Sequence, residues 1–166
     1  MDIFAHPLWT FIVFYRYKLV HYSILFSLLP DFFSWGIYTI FRFVNDIPFG
    51  RPILSLIPDW VFTLYGITHS LIIVAIVFTI IYLIYKKIPL FMYAWPMHIL
   101  IDIPSHLKVF LGTPFLWPIS NYVFDGISWG TPSFMAINYI SLMVFLSITL
   151  VYRINILLFI KSKLFR

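Results

Sequence analysis

The chain predicts an all-α fold, a polytopic integral membrane protein, and three observations carry that expectation. Charged residues make up only 10% of the 166 positions, against about 25% in soluble domains. The mean hydropathy is +0.97. Apolar runs long enough for membrane helices alternate with stretches rich in proline, glycine and aromatic residues, as expected where helices keep their backbone bonds internal in lipid and connections emerge at the interface. The expectation is a single membrane domain, residues 1–166, with three to five membrane-embedded helices and an interfacial helix and loop region.

Residues 7–30 are long enough to span, but Arg16, Lys18 and His21 interrupt them. Two helices, about 7–15 and 19–29, joined by a basic turn are expected. One continuous helix with snorkelling side chains is the alternative. Pro30 and Asp31 are read as closing the segment. Beyond them, Pro48, Pro52 and Pro58 prevent a long helix before residue 59, leaving a short aromatic helix at 32–43. Trp35, Tyr38 and Trp60 suit the membrane interface.

Segment 60–85 is the clearest span, roughly 39 Å long at 1.5 Å per residue. Lys86 and Lys87 end it. Segment 90–103 is only roughly 21 Å long, too short to cross the hydrocarbon unless residues 86–89 extend it. Pro96 kinks it or opens its second half, and Pro104 stops it. Residues 104–133 read as a long ordered loop or lid, and 134–160 as the last span. No internal repeat or low-complexity tract is present in the sequence.

The basic ends set the orientation. Lys86, Lys87, Lys161, Lys163 and Arg166 are expected on the cytoplasmic side. Loops 31–59 and 104–133 then face outward, with Arg42, Arg51 and Lys108 against Asp46, Asp59 and Asp125. The net charge of +5 points to anionic membrane lipid rather than nucleic acid as partner. With Asp2 and no basic run, the N-terminus does not read as a cleavable signal peptide. The expected location is a prokaryotic plasma or inner membrane, crossed several times.

The chemistry is bounded by what is missing. There is no cysteine, and all six acidic residues are aspartates, which excludes thiolate chemistry and every zinc motif built on glutamate. Under the expected topology Asp31, His69, His98, Asp102 and His106 can meet in one aqueous pocket below the outer surface. His98 and Asp102 are four residues apart and share a helix face; His106 returns from the loop after Pro104. Ionisable groups inside a membrane are costly and face a cavity or a partner. Imidazole with carboxylate suits a divalent metal, zinc first, with manganese or iron as alternatives. Such a metal lowers the pKa of its water and polarises an ester or phosphoryl oxygen. Bland readings stand beside this one: a carbonyl-bonded His69, a structural His98–Asp102 pair, an Asp31 that caps the next helix, and His6 and His21 as interfacial or structural imidazoles.

The strings LLPD at 28–31, ITHSL at 67–71 and HILID at 98–102, followed by TPFLWPIS at 113–120, resemble the YdjM-like family of inner-membrane proteins, described as membrane-bound metal-dependent hydrolases. The resemblance covers residues 1–120. It implies a metal site containing His6, Asp31, His69, His98 and Asp102, with His106 as an additional histidine. Asp31, His69 and Asp102 are the residues it implies for catalysis, and Tyr65 or Ser70 would orient substrate. It also favours the hairpin: along one straight helix His6 and Asp31 would lie roughly 37 Å apart. Two departures, Tyr65 where family members often carry a second histidine and Phe33 where they carry a second acid, leave one metal as the expectation. The implied activity is hydrolysis of a lipid-linked or amphipathic ester or phosphoester. The competing class is a non-enzymatic structural or small-solute transport protein with a hydrogen-bonded polar core.

Overall fold

The structure is a computed structural model that describes residues 1–48, 50 and 52–164, with side chains described as far as Asn155. Lys161, Lys163, Arg166 and Arg51, which entered the expected orientation, fall outside the described side chains.

The chain is helical throughout its ordered elements: α1 (Ala5–Phe14), α2 (Val20–Asp31), α3 (Ile37–Val44), α4 (Asp59–Thr68), α5 (Leu71–Tyr85), α6 (Ala94–Ser105) and α7 (Pro132–Leu164). The first two form the expected hairpin. Its turn is closed by Tyr17 N–H to Phe14 O (2.8 Å) and Val20 N–H to Tyr17 O (3.2 Å), and Arg16 and Lys18 are exposed there. The facing sides of the two helices carry small polar residues, with Thr10 on α1 and Ser23 and Ser27 on α2 fully buried. Small residues let helix backbones approach closely.

Pro30 and Asp31 do not close the segment. Pro30 lies inside α2, and a π-helical turn, Phe32–Gly36, carries the chain directly into α3. Proline removes one N–H, whereas ending a helix in lipid would strand four carbonyls. The Ser34 hydroxyl donates to Pro30 O at 2.8 Å, so the disturbed turn stays satisfied. The continuous apolar helix is Val20–Val44. Tyr38 and Trp60 pack on each other. They stack edge to face at 6.4 Å, within an apolar cluster built on Tyr38, Ile57 and Val61.

Segment 60–85 is two helices, not one, with a bend of 54° between α4 and α5. Ser70 makes the break. Its side chain caps α5 by accepting from Ile72 N–H (3.1 Å) and Ile73 N–H (3.2 Å), while its hydroxyl donates to Trp117 O. The Leu71 amide, free of the helix, donates to Phe115 O at 2.9 Å. Ser70 is thereby committed to structure and has no hydroxyl to offer a substrate.

A short 3-10 turn, Leu90–Tyr93, leads into α6. Pro96 sits in the first turn of α6, where an N–H is dispensable. Pro104 is the penultimate helical residue, so α6 runs one residue past the expected stop. The long loop then folds back over this end. Gly126 N–H bonds His106 O (3.0 Å), Ile127 N–H bonds Pro104 O (2.9 Å) and Trp129 N–H bonds Ser105 O (2.9 Å). A Cβ on Gly126 would collide with the Pro104 carbonyl, so only glycine permits this approach.

Among the described residues two helical stretches, Val20–Val44 and Pro132–Asn155, are long and apolar enough to cross a membrane, and the bent α4–α5 pair makes up to three. Large apolar side chains face outward, among them Ile76, Ile80 and Leu83 on α5 and Ile137, Ile140 and Val144 on α7. The buried positions are conspicuously polar: His6, Thr10, Ser23, Ser27, His69, His98 and Asp102. Polar groups buried beneath apolar outer faces, with helices of this length, match association with a membrane.

Candidate metal centre

The break between α4 and α5 places His69. As the residue that ends α4, it leaves the helical stack and turns its ring inward, fully buried. α6 presents His98 and Asp102 from one face, α2 presents Asp31, and α1 brings His6 to the same region. One ligand atom from each of Asp31, His69, His98 and Asp102 lies within 4.8 Å of every other.

The ring tautomers follow from the backbone. His98 Nδ1 lies 2.7 Å from Ser27 O, and a carbonyl oxygen only accepts, so Nδ1 carries the proton. His69 Nδ1 lies 3.2 Å from Tyr65 O and 2.9 Å from Thr68 Oγ1. The Thr68 hydroxyl itself donates to Leu64 O at 2.9 Å, so this ring too is protonated on Nδ1. The two Nε2 atoms then point their lone pairs at each other across 3.2 Å. With two carboxylates alongside, the centre of the cluster calls for positive charge.

The separations fit a metal ion. Tetrahedral zinc with bonds of about 2.0–2.2 Å holds its ligand atoms roughly 3.3–3.6 Å apart. Here His98 Nε2 is 3.0 Å from Asp102 Oδ2 and 3.9 Å from Asp31 Oδ1. His69 Nε2 is 3.5 Å from Asp31 Oδ1 and 3.6 Å from Asp102 Oδ2. Each imidazole also has its second nitrogen fixed by a carbonyl, the outer support that metal-binding histidines use.

His6 and His106 stand beside this group of four rather than within it. His6 Nε2 is 3.0 Å from Asp102 Oδ1, off the direction of a hydrogen bond, and its ring stacks on His98 with centroids 3.7 Å apart. His106 Nδ1 donates to Asp102 O (3.0 Å) and lies 3.6 Å from Asp102 Oδ1. The Met1 amino group meets the same oxygen. Asp102 therefore has one oxygen held by these groups and the other, Oδ2, turned to His69 and His98. Burial pushes the His106 imidazole down to about 4, so it is neutral near pH 7. His21 is exposed against Tyr22 and takes no part.

Tyr65 packs its ring on His69, centroids 4.0 Å apart, and its hydroxyl donates to Leu111 O at 3.3 Å. Sequence reasoning did not single out Thr10 and Ser23, whose buried hydroxyls lack a partner, as does His6 Nδ1. Hydroxyl residues in an apolar helix carry no signal until their neighbours are known. Among the four converging residues Asp31 alone is open: its side chain is 16% exposed against 2% for Asp102. Asp31 lies on the wall of a cavity of about 630 Å³, so access to the cluster is from its side. No family model, curated protein or solved structure matches this chain.

Proposed function

We propose that the protein is a membrane-embedded, metal-dependent hydrolase, acting on an ester or phosphoester of an amphipathic or lipid-linked molecule. The observation that carries this reading is the pair of Nε2 atoms facing each other at 3.2 Å between the buried Asp102 and the partly open Asp31 carboxylates. The motifs that resemble the YdjM-like family point the same way. His69, His98 and Asp102 would hold the ion, zinc by its preference for nitrogen and oxygen donors, as the three protein ligands of a catalytic zinc do, with the fourth position, on the open side beside Asp31, left for water. When bound, it supplies a water acidified to near-neutral pKa and a Lewis acid for the scissile oxygen.

The side chains divide the remaining work. Ser27 O and Tyr65 O lock the tautomers of His98 and His69. His6 and His106 brace Asp102 from the side away from the cluster. Asp31, the accessible carboxylate, is the group placed to accept a proton from water and return it to the leaving oxygen. The reading puts the site toward the outer face of a prokaryotic plasma or inner membrane.

Purified in mild detergent without chelator, the protein should carry about one transition metal ion per chain by elemental analysis. The competing reading, a hydrogen-bonded core without metal, is favoured by the pairing of Asp102 with His6 and the Met1 amino group. A metal content near zero, with no uptake on titration with zinc, would establish that reading and refute the hydrolase.

A further inference from the structure

Resting on the hydrolase reading, we infer that the substrate is a neutral carboxylic ester of a single acyl chain, and that the chain lies in the cavity beside Asp31. The cavity reaches the cluster directly, since Asp31, Tyr65 and His106 all line it. Away from them its walls are largely apolar, with Phe32, Trp35, Leu107, Phe110, Trp129 and Met135, and Asp2, Thr39 and Ser128 are polar groups among them. Its volume of about 630 Å³ falls among sites that enclose one small ligand, about 300–1,000 Å³. That is room for one chain rather than two.

Charge decides the reacting end. The acidic side chains on the wall are Asp2 and Asp31, and among the described residues that line the cavity there is no lysine or arginine. The Met1 amino group is already engaged by Asp102. A divalent ion would balance the two carboxylates of the cluster and leave nothing over for a phosphate dianion. Sites that act on phosphoryl groups carry cationic clamps for those oxygens; among its described lining residues this one offers carboxylates and no lysine or arginine. An uncharged carbonyl group meets no such penalty.

The reaction is a balanced hydrolysis. The oxygen of water bonds to the acyl carbon and the acyl–oxygen bond breaks. One water proton passes through Asp31 to the departing alkoxide, giving an alcohol and a fatty acid. No redox partner or co-reactant besides water is needed.

The test uses the full chain in nanodiscs, loaded with zinc. Monododecanoyl glycerol, monoacetyl glycerol and dodecyl phosphate are compared as substrates. The dodecanoyl ester should be cleaved fastest and dodecyl phosphate at least tenfold more slowly. Met135→Trp, which narrows the cavity away from the metal ligands, should lower dodecanoyl turnover about tenfold or more, the order expected when a pocket loses room for a methylene. It should leave zinc content unchanged. A second readout needs no metal: a fluorescent anthroyloxy-acyl ester of glycerol should bind the metal-free protein, and Met135→Trp should abolish that binding. Preferential turnover of dodecyl phosphate, or equal turnover of acetyl and dodecanoyl esters, overturns the substrate inference while leaving the hydrolase intact. Zinc content near zero with acyl binding retained overturns the hydrolase and leaves the cavity assignment standing. Failure of the metal-free protein to bind the fluorescent ester overturns the cavity assignment itself.

Discussion

His69 and Ser70 are the two residues between α4 and α5, and both are fully buried. His69 ends α4 with a backbone no longer helical (φ −109°, ψ 19°), and Tyr65 O takes its Nδ1 proton. Removing the ring should therefore remove a ligand without collapsing either helix. His69→Ala and His98→Ala are expected to abolish zinc retention through dialysis against a chelator. His6→Ala and His106→Ala should weaken retention about 10–100-fold, the usual cost of losing a group that supports a ligand. His21→Ala should retain wild-type metal, because that ring is exposed and remote from the cluster. Equal retention in wild type and His69→Ala would refute the assignment of the centre. The His98–Asp102 pair was legible from helical spacing alone, since residues four apart share a face. The division of labour at Asp102, with one oxygen braced and one free, was not, because it depends on α1 arriving from a hundred residues away.

Among the elements, the α4–α5 break does most to shape the site, and little in its own residues announces it. The sequence from Tyr65 to Ile72 has no proline, and its one glycine, Gly66, lies inside α4 against the ring of Trp117. The bend is stabilised by Ser70 capping α5 and by carbonyls of Phe115 and Trp117 in a distant loop. Tertiary partners thus override a local pattern that reads as one span. The opposite happens at Pro30, where a residue that reads as a stop is absorbed because the backbone gains more by staying helical in lipid. The α1–α2 hairpin, by contrast, was legible because Arg16 and Lys18 cannot sit in the middle of a buried span. Ser70→Ala removes the cap and the anchor to the loop together. A lost serine cap costs about 0.5–2 kcal/mol, so a lower thermal midpoint is expected, with zinc retention weakened because His69 is adjacent. Ser70→Asn, which can still cap, should recover most of the midpoint. If Ser70→Ala melts like wild type, the break is held by something other than this cap.

For the whole molecule, the long apolar helices match membrane association, and the proposed orientation rests on a small charge bias. α5 links the two ends of that argument. It starts where the loop carbonyl of Phe115 meets Leu71 and finishes at Lys86, whose left-handed backbone (φ 55°) terminates the helix. Fifteen residues of helix rise roughly 22 Å, about three quarters of a hydrocarbon core of about 30 Å. Were Lys86 and Lys87 at the cytoplasmic headgroups, the cluster would lie below the outer boundary, with the loop from 106 to 131 above it. With the reverse orientation the cluster would open to the cytoplasm through the same loop. The sequence contains no cysteine, so single cysteines report without background. Lys87→Cys and Asn121→Cys both replace exposed residues that lie outside the cluster. In intact cells a membrane-impermeant maleimide should label Asn121→Cys and spare Lys87→Cys until the membrane is opened. Labelling of Lys87→Cys in intact cells, with Asn121→Cys protected, would invert the topology and make the substrate a lipid of the inner leaflet.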